Sequence, residues 1–313
     1  MGNSRAIARL SSMLILPVLY ATAALAQNAD MARPGTINYV EGSAAIDGRP
    51  IGSQQIGTVE VDPGQTLSTA DGKAEMLLTP GIFFRLGSNS AVKMVKPDLT
   101  QTVVSLENGH AMVEVDQIFP QNTVVVLENG KQMQLLKTGL YEFDAAKGGV
   151  QVYEGKAVVQ EDGGKWTTVK GSHELDLAAA SGDHLKAHPF DEDATKDDLY
   201  NWSSLRSEYL AQANGQIAGE YADAGFAPGW YWDPGFYGYT YLGLDPFFSP
   251  FGWGFYGGGR YGGWYGGRGF YGGRGYYGGR GYYGGRAFAG GGGIHGGGFG
   301  GGGFRGGGGG GRR

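Results

Sequence analysis

Cysteine is absent from the 313-residue chain. That excludes a disulfide framework, zinc–thiolate sites, iron–sulfur clusters, a cysteine nucleophile and lipidation of an N-terminal cysteine. Beyond the N-terminus, no apolar run approaches the roughly 20 residues of a spanning helix. Gly-x-Ser-x-Gly, His-Glu-x-x-His and phosphate-loop motifs are also missing. Charged residues make up only 18 % of the chain, and the two signs are kept apart. After Gly252 there are eight arginines and no acid, and before Gln27 there are two arginines and no acid. The region between holds all 30 acidic residues and the other 15 basic ones, a net charge near −15. The overall charge of −5 therefore conceals an acidic body joined to a basic tail.

What is present at the N-terminus is a leader pattern. Arg5 and Arg9 precede an apolar stretch from Leu10 to Tyr20, and small residues follow to Ala24-Leu25-Ala26. A basic start, a short apolar segment and an A-x-A site describe a cleaved signal peptide over residues 1–26. The expectation is an exported protein of the periplasm or cell surface, with no membrane span in the mature chain.

From residue 34 to 188 the pattern is short strands with turn punctuation. Thr102-Val103-Val104-Ser105-Leu106 and Val150-Gln151-Val152-Tyr153 alternate with the period of a half-buried strand. Asp47-Gly48, Asp71-Gly72, Asn108-Gly109, Asn129-Gly130 and Gly148-Gly149 read as turns. Thr58–Val61 reads as a further strand, and no helix is expected in this region. Many short strands at this spacing predict an all-β body, either a sandwich or a β-solenoid.

The body also carries an ordered set of motifs. Val40-Glu41-Gly42 is followed by Gly64-Gln65-Thr66-Leu67-Ser68-Thr69, then by Arg85-Leu86-Gly87-Ser88-Asn89-Ser90. Leu106-Glu107-Asn108-Gly109, Thr138-Gly139-Leu140-Tyr141-Glu142-Phe143 and Val152-Tyr153-Glu154-Gly155-Lys156-Ala157-Val158 complete it. This order resembles the FecR domain, the envelope-side portion of ferric-dicitrate sensor regulators, over about half of the chain. The resemblance implies a single FecR-like β-domain and a regulatory lineage. Such a regulator resembles a three-part molecule, with a cytoplasmic sigma-factor-binding segment and one membrane helix ahead of the domain. Here a signal peptide stands in their place, so direct contact with a sigma factor is not expected. Each motif also has a plain structural use, with glycines for turns and Leu86, Leu106 and Phe143 for the core.

Residues 189–222 form an acidic linker and a helix. The linker fails the calcium-loop pattern, because Lys196 and Trp202 stand where Gly and Glu are required. The helix is expected from Asp197 to about Tyr221. Its apolar stripe is read as Leu199, Trp202, Leu205, Tyr209, Leu210, Ala213 and Ile217. An aromatic module rich in Trp, Tyr and Pro follows over residues 223–256, and resembles the C-terminal extension of exported FecR-domain proteins. Residues 257–313 are a tail expected to be disordered, since 35 of the 62 residues from Gly252 onward are glycine. Within it Arg-Gly-aromatic-Tyr-Gly-Gly recurs from Arg268 to Gly285.

Aromatic rings with a polar tip suit glycan stacking, and Arg with Tyr gives weak cation–π contacts that add up multivalently. The candidate surface or glycan contacts are therefore Trp230, Tyr231, Trp232, Trp253, Tyr276, Tyr277, Tyr282, Tyr283, Arg268, Arg274, Arg280 and Arg286. His184 and His188 have i, i+4 spacing but adjoin Pro189 and lack an evident third ligand, so no metal is expected. No cofactor is expected, nor any acid–base pair of an enzyme. The partners implied are envelope polysaccharide, another anionic surface or a membrane protein, and not intracellular nucleic acid. The sequence thus describes a non-catalytic exported surface protein, or alternatively a periplasmic sensory module acting through a membrane partner.

Overall fold

The computed structural model describes residues 32–161, 164–177, 185–221 and 227–257. Residues 1–31, which include the expected leader, lie outside them, as do His184 and residues 258–313. The body begins with β1 (Ile37–Ile46), β2 (Arg49–Pro50), β3 (Thr66–Leu77), β4 (Ile82–Leu86), β5 (Ala91–Asp98), β6 (Gln101–Asn108) and β7 (His110–Val115). It continues with β8 (Thr123–Glu128), β9 (Lys131–Leu135), β10 (Gly139–Asp144), β11 (Gly149–Glu154), β12 (Lys156–Gln160), β13 (Trp166–Lys170), β14 (His173–Asp176) and β15 (His188–Pro189). Helices α1 (Glu192–Thr195) and α2 (Asp198–Tyr221) follow. Two hairpins come last, β16 (Gly229–Asp233) with β17 (Gly238–Leu242) and β18 (Phe247–Phe248) with β19 (Gly254–Phe255).

The body is all-β. Its strands form one sheet in the order β13-β12-β9-β8-β6-β5-β3-β4-β7-β10-β11-β14-β15, with β1 joining β3 to β2. This sheet curls over on itself. Val169 near one end, Leu175 near the other and Met76 in the middle all pack in one apolar core. The turn chemistry is the one that glycine-rich hairpins require. Asp47-Gly48 and Asn129-Gly130 both take positive φ at their two residues, the geometry of a type I′ turn. Strand β6 pairs with β8 in parallel, because β7 between them crosses over to pair with β4 and β10.

Two local expectations are corrected. Asp71-Gly72 lies inside β3 and is not a turn. Gly42 and Gly72 face each other across β1 and β3, where a Cβ on Gly72 would come within 2.4 Å of the Glu41 carbonyl. The two glycines let the paired strands bend together at an irregularity in register. Thr58–Val61 forms no strand either, being tied to Thr36 only by a bridge at Glu60. A short 3₁₀ turn, Ser53–Gln55, precedes this segment.

Strands β4, β7 and β10 are buried on both faces, with helix α2 and the two hairpins covering the outer one. Inward, Ile82, Phe84, Ala111, Val113, Tyr141 and Phe143 join the main core. Outward, Phe83 and Leu77 pack with Leu210, Trp230, Tyr239, Tyr241 and Phe255. Met112 and Leu140 pack with Leu199 and Trp202. Helix α2 begins within one residue of its expected position, and Leu199, Trp202, Leu210, Ala213 and Ile217 of the expected stripe are buried, whereas its other two members are not. Leu205 and Tyr209 are exposed, at 46 % and 42 %. Arg206, Ser207 and Asn214 are buried instead.

The reason is that the sheet surface beneath the helix is charged. Glu75, Arg85 and Glu114 project outward from β3, β4 and β7, and each is fully buried. Arg85 Nε lies 2.8 Å from Glu75. Its Nη1 lies 2.6 Å from Glu114, a close ion contact without hydrogen-bond alignment. Arg206 donates to Glu75 from the helix at 2.9 Å and lies 4.0 Å above the Tyr39 ring. Asn38 also donates to Glu75, and Ser207 to Glu114. Two carboxylates thus meet two guanidinium groups. Nearby Asp116 is held well above the usual carboxylate range by burial and by the Glu114 charge. Among the described residues, no helix is long and apolar enough to cross a membrane.

Burial by itself would raise Glu75, but Arg206 and Arg85 outweigh it and bring the group down from 4.5 to about 2. A lowered carboxyl contributes stability that is complete above the unfolded value and is lost as pH falls through the folded one. The contribution at stake is about 3 kcal/mol. Urea unfolding followed from pH 5 down to about 2 should show the native chain losing stability more steeply than Glu75→Gln, which is already weak at pH 5. Equal slopes would contradict this account.

Candidate functional site

Polar groups gather at the end of the sheet where β10 turns into β11. Asp144 closes β10, and its Oδ1 accepts the Ala146 and Lys147 amides at 3.0 Å each, so the turn fixes its carboxylate. In register, Asp144 lies opposite His110 on β7. His110 Nε2 is 3.2 Å from Asp144 Oδ2, while its Nδ1 is 3.9 Å from Asp197 Oδ2. Glu142, two residues before Asp144, projects from the same face of β10.

Glu142 is buried and accepts the Tyr153 hydroxyl at 2.7 Å. That hydroxyl also contacts Thr195 Oγ1 at 3.1 Å, which ties the α1 segment to the sheet. Asp197 stands just before α2 and caps it, with Oδ1 accepting the Tyr200 amide at 2.9 Å. His110, Glu142 and Asp197 each present one potential metal-ligand atom within 4.8 Å of the others. Beside them is a cleft of about 280 Å³ lined by Glu142, Asp144, Lys147, Gln151, Glu174, Asp176 and His188. Glycines, Val150 and Leu175 complete the wall, and Lys147 Nζ stands 3.2 Å from Asp144.

Several groups here are displaced from their ordinary protonation. Burial pushes Glu142 up to about 7; the Tyr153 bond opposes this and the Asp197 charge adds to it. Burial and Glu142 raise Tyr153 as well. Burial, then the Asp144 charge, push Glu128 up to about 8. The Gly149 amide opposes that shift without making an aligned bond to either Glu128 oxygen. Asp144 goes the other way. Its burial penalty is outweighed by the Lys147 amide and side chain and by His110.

The aromatic candidates occupy a second region, the hairpins over the sheet. Trp230 is buried, its ring 5.0 Å from Phe83 and 5.8 Å from Tyr241. Tyr231 is half-buried against Tyr221 and donates its hydroxyl to the Ala227 carbonyl. Trp253 is half-buried and donates from its indole to the Ser204 carbonyl at 3.1 Å. Trp232 lies at the hairpin tip, 5.1 Å from both Tyr237 and Tyr239. Tyr276, Tyr277, Tyr282, Tyr283, Arg268, Arg274, Arg280 and Arg286 lie outside the described residues.

The tip contains rings that the sequence reading passed over. Asp233 Oδ1 accepts the Gly235 and Phe236 amides, and the Tyr237 amide returns to the Asp233 carbonyl. That closed turn holds Tyr237 at φ +56, a left-handed backbone uncommon for a bulky residue, with half of its surface exposed. Tyr209 on α2 lies 6.1 Å from Phe236 and is also exposed. The signal available in the sequence was Asp233-Pro234-Gly235, a turn with aromatic residues directly after it.

No family model matches the chain, and no curated protein matches it. Two crystal structures of an inferred anti-sigma factor from Parabacteroides distasonis align with it, each at a TM-score of 0.34. The 1.65 Å structure is 11 % identical over 45 % of this chain and 64 % of its own length. The 2.50 Å structure is 13 % identical over 56 % of this chain and 82 % of its own length. The chain therefore spans less than two thirds of the first structure. A superposition of this kind fixes no residue equivalences and assigns no role.

The raised carboxyl of Glu128 generates a test of the site's energetics. A carboxyl held at about 8 when folded and 4.5 when unfolded costs stability progressively as pH rises between those values. Glu128→Gln removes that cost. Its thermal stability should match the native chain at pH 4.5 and exceed it at pH 7 by about 3 kcal/mol. A variant less stable than the native chain at pH 7 would show that Glu128 has a compensating partner when ionised.

Proposed function

We propose that the protein is a non-catalytic exported envelope or surface protein. A FecR-like β-scaffold presents aromatic and basic segments for multivalent contact with anionic or glycan surfaces. The observation that carries this reading is the hairpin tip. Tyr237 is held half-exposed in a left-handed backbone, against Trp232 and beside Phe236 and Tyr209. Strain of this kind persists only where the surroundings over-determine it, and here it presents a ring to solvent on a rigid support. Flat rings fixed in this way stack on sugar faces with little further loss of entropy. The Arg and Tyr residues from Arg268 to Arg286 supply the charge that a single aromatic platform lacks. The alternative, a periplasmic sensory module acting through a membrane partner, is favoured by the carboxylate-lined cleft, which is large enough for a small ligand.

Two variants of the full chain test the proposal against immobilised peptidoglycan and against alginate, an anionic polysaccharide. Tyr237→Gly relieves the backbone strain and removes only a half-exposed ring, so the variant should still unfold cooperatively. Its retention on glycan should nevertheless fall several-fold. Truncation after Gly257 should abolish the salt-sensitive part of binding to alginate. Full retention by both variants overturns the surface-contact reading.

A further inference from the structure

We propose that His110, Glu142 and Asp197 form a binding site for a divalent cation of the zinc class. The three residues come from different elements: β7, β10 and the capping position of α2. Each has one donor atom already engaged and another turned toward a common point. Asp197 Oδ1 accepts the Tyr200 amide, and its Oδ2 faces His110. Glu142 Oε2 accepts Tyr153, and among the described residues nothing donates to its other oxygen. His110 directs Nε2 at Asp144 and Nδ1 toward Asp197.

The orientation of His110 is the feature that points to a metal. A ligating histidine donates its second ring N–H to a carboxylate, which fixes the tautomer and leaves the lone pair on the other nitrogen. Asp144 stands in that supporting place. Its side chain is only 11 % exposed, its Oδ1 is locked by two amides, and its Oδ2 lies 3.2 Å from His110 Nε2 and equally far from Lys147 Nζ at the surface. Glu142 has equivalent support in the Tyr153 hydroxyl, which is fastened in turn to Thr195.

Distances and charge agree with this reading. The ligand atoms lie within 4.8 Å of one another. Tetrahedral ligation at roughly 2.0–2.2 Å places ligand atoms about 3.4 Å apart, so closing on a cation needs a movement of about 1 Å. Three carboxylates surround one imidazole here, and the adjacent Lys147 side chain is 82 % exposed. A cation therefore meets an excess of negative charge. Mixed nitrogen and oxygen donors at three protein positions favour zinc over calcium or magnesium, which take six or more oxygens. Glu142 supplies a buried floor and Asp197 an exposed rim, so the fourth position opens to solvent. A cation held there would fasten the start of α2 to the sheet.

The test is calorimetric titration of the chelator-treated full chain with ZnCl₂, with thermal unfolding followed in parallel. Asp197→Asn is the informative variant, because Asn caps a helix as well as Asp does and its metal-free stability should equal that of the native chain. The native chain should bind one zinc at this site and melt at a higher temperature with it. Asp197→Asn and Glu142→Gln should each weaken that binding at least tenfold, and His188→Ala should leave it unchanged. Cobalt in place of zinc should give visible absorption that His110→Gln abolishes. Zinc binding undiminished in Asp197→Asn and Glu142→Gln overturns the site, as does binding lost in His188→Ala alone. Calcium bound as tightly as zinc would also overturn it. None of these readouts involves a polysaccharide, so their failure leaves the surface-contact reading standing.

Discussion

Arg85 is the constraint around which the outer half of the molecule is arranged. It is a fully buried guanidinium in the middle of a sheet, on the face that a strand of this composition would otherwise leave apolar. A buried cation of this kind is tolerable only when matched by carboxylates and hydrogen bonds. Glu75 and Glu114, on the two strands beside β4, provide the match. They overshoot it, since two carboxylates now face one guanidinium. Helix α2 restores neutrality by lowering Arg206 onto Glu75 and Ser207 onto Glu114. The order of causes runs from the sheet to the helix, and the identity of the docked helix face follows from it.

A network of this kind is a poor source of net stability, because desolvation offsets most of the Coulomb attraction. Its effect is positional. An apolar helix face could slide over Phe83, Leu77 and Met112 at modest cost, whereas Arg206 has one carboxylate to reach. Fixing α2 in rotation and register fixes what is attached to it. Asp197, at its capping end, is delivered to His110 and Glu142. Thr240 and Asn214 fasten β17 and the residues after β19 to the far half of the helix. The aromatic hairpins thereby become an integral layer, and Trp230 is buried in its packing. What stays at the surface is the tip, where Asp233 closes the turn and Tyr237 accepts an unfavourable backbone.

The parts of this arrangement that are local were legible in the sequence. Asp47-Gly48 and Asn129-Gly130 turns, alternating strands and the helix from about Asp197 all follow from interactions within a few residues. The error at α2 is of a different kind. Leu205 and Tyr209 have the spacing of a buried stripe, and nothing within the helix says that the partner surface is ionic. Only the pairing of β3, β4 and β7 brings Glu75, Arg85 and Glu114 together. The metal-ligand cluster was hidden for the same reason. His110 and Asp144 are opposite each other only because β7 and β10 are neighbours in the sheet, although β8 and β9 come between them in the chain. A search for spaced histidines looks along the sequence, and this one is assembled across it.

The charge partition of the chain has a consequence for the function we propose. A net charge near −15 on residues 27–251 and eight arginines after them belong to one molecule. A basic segment of this composition favours anionic surfaces and is repelled by cationic ones. A dense or multivalent anion engages several arginines at once and so gains over a simple one. Salt weakens such ionic contacts, whereas stacking on Tyr237 and Trp232 is little screened. The aromatic tip would then supply contact that persists in salt, and the arginines would supply selection for highly charged surfaces. A chain with the tip but without the arginines would bind glycan without discriminating its charge.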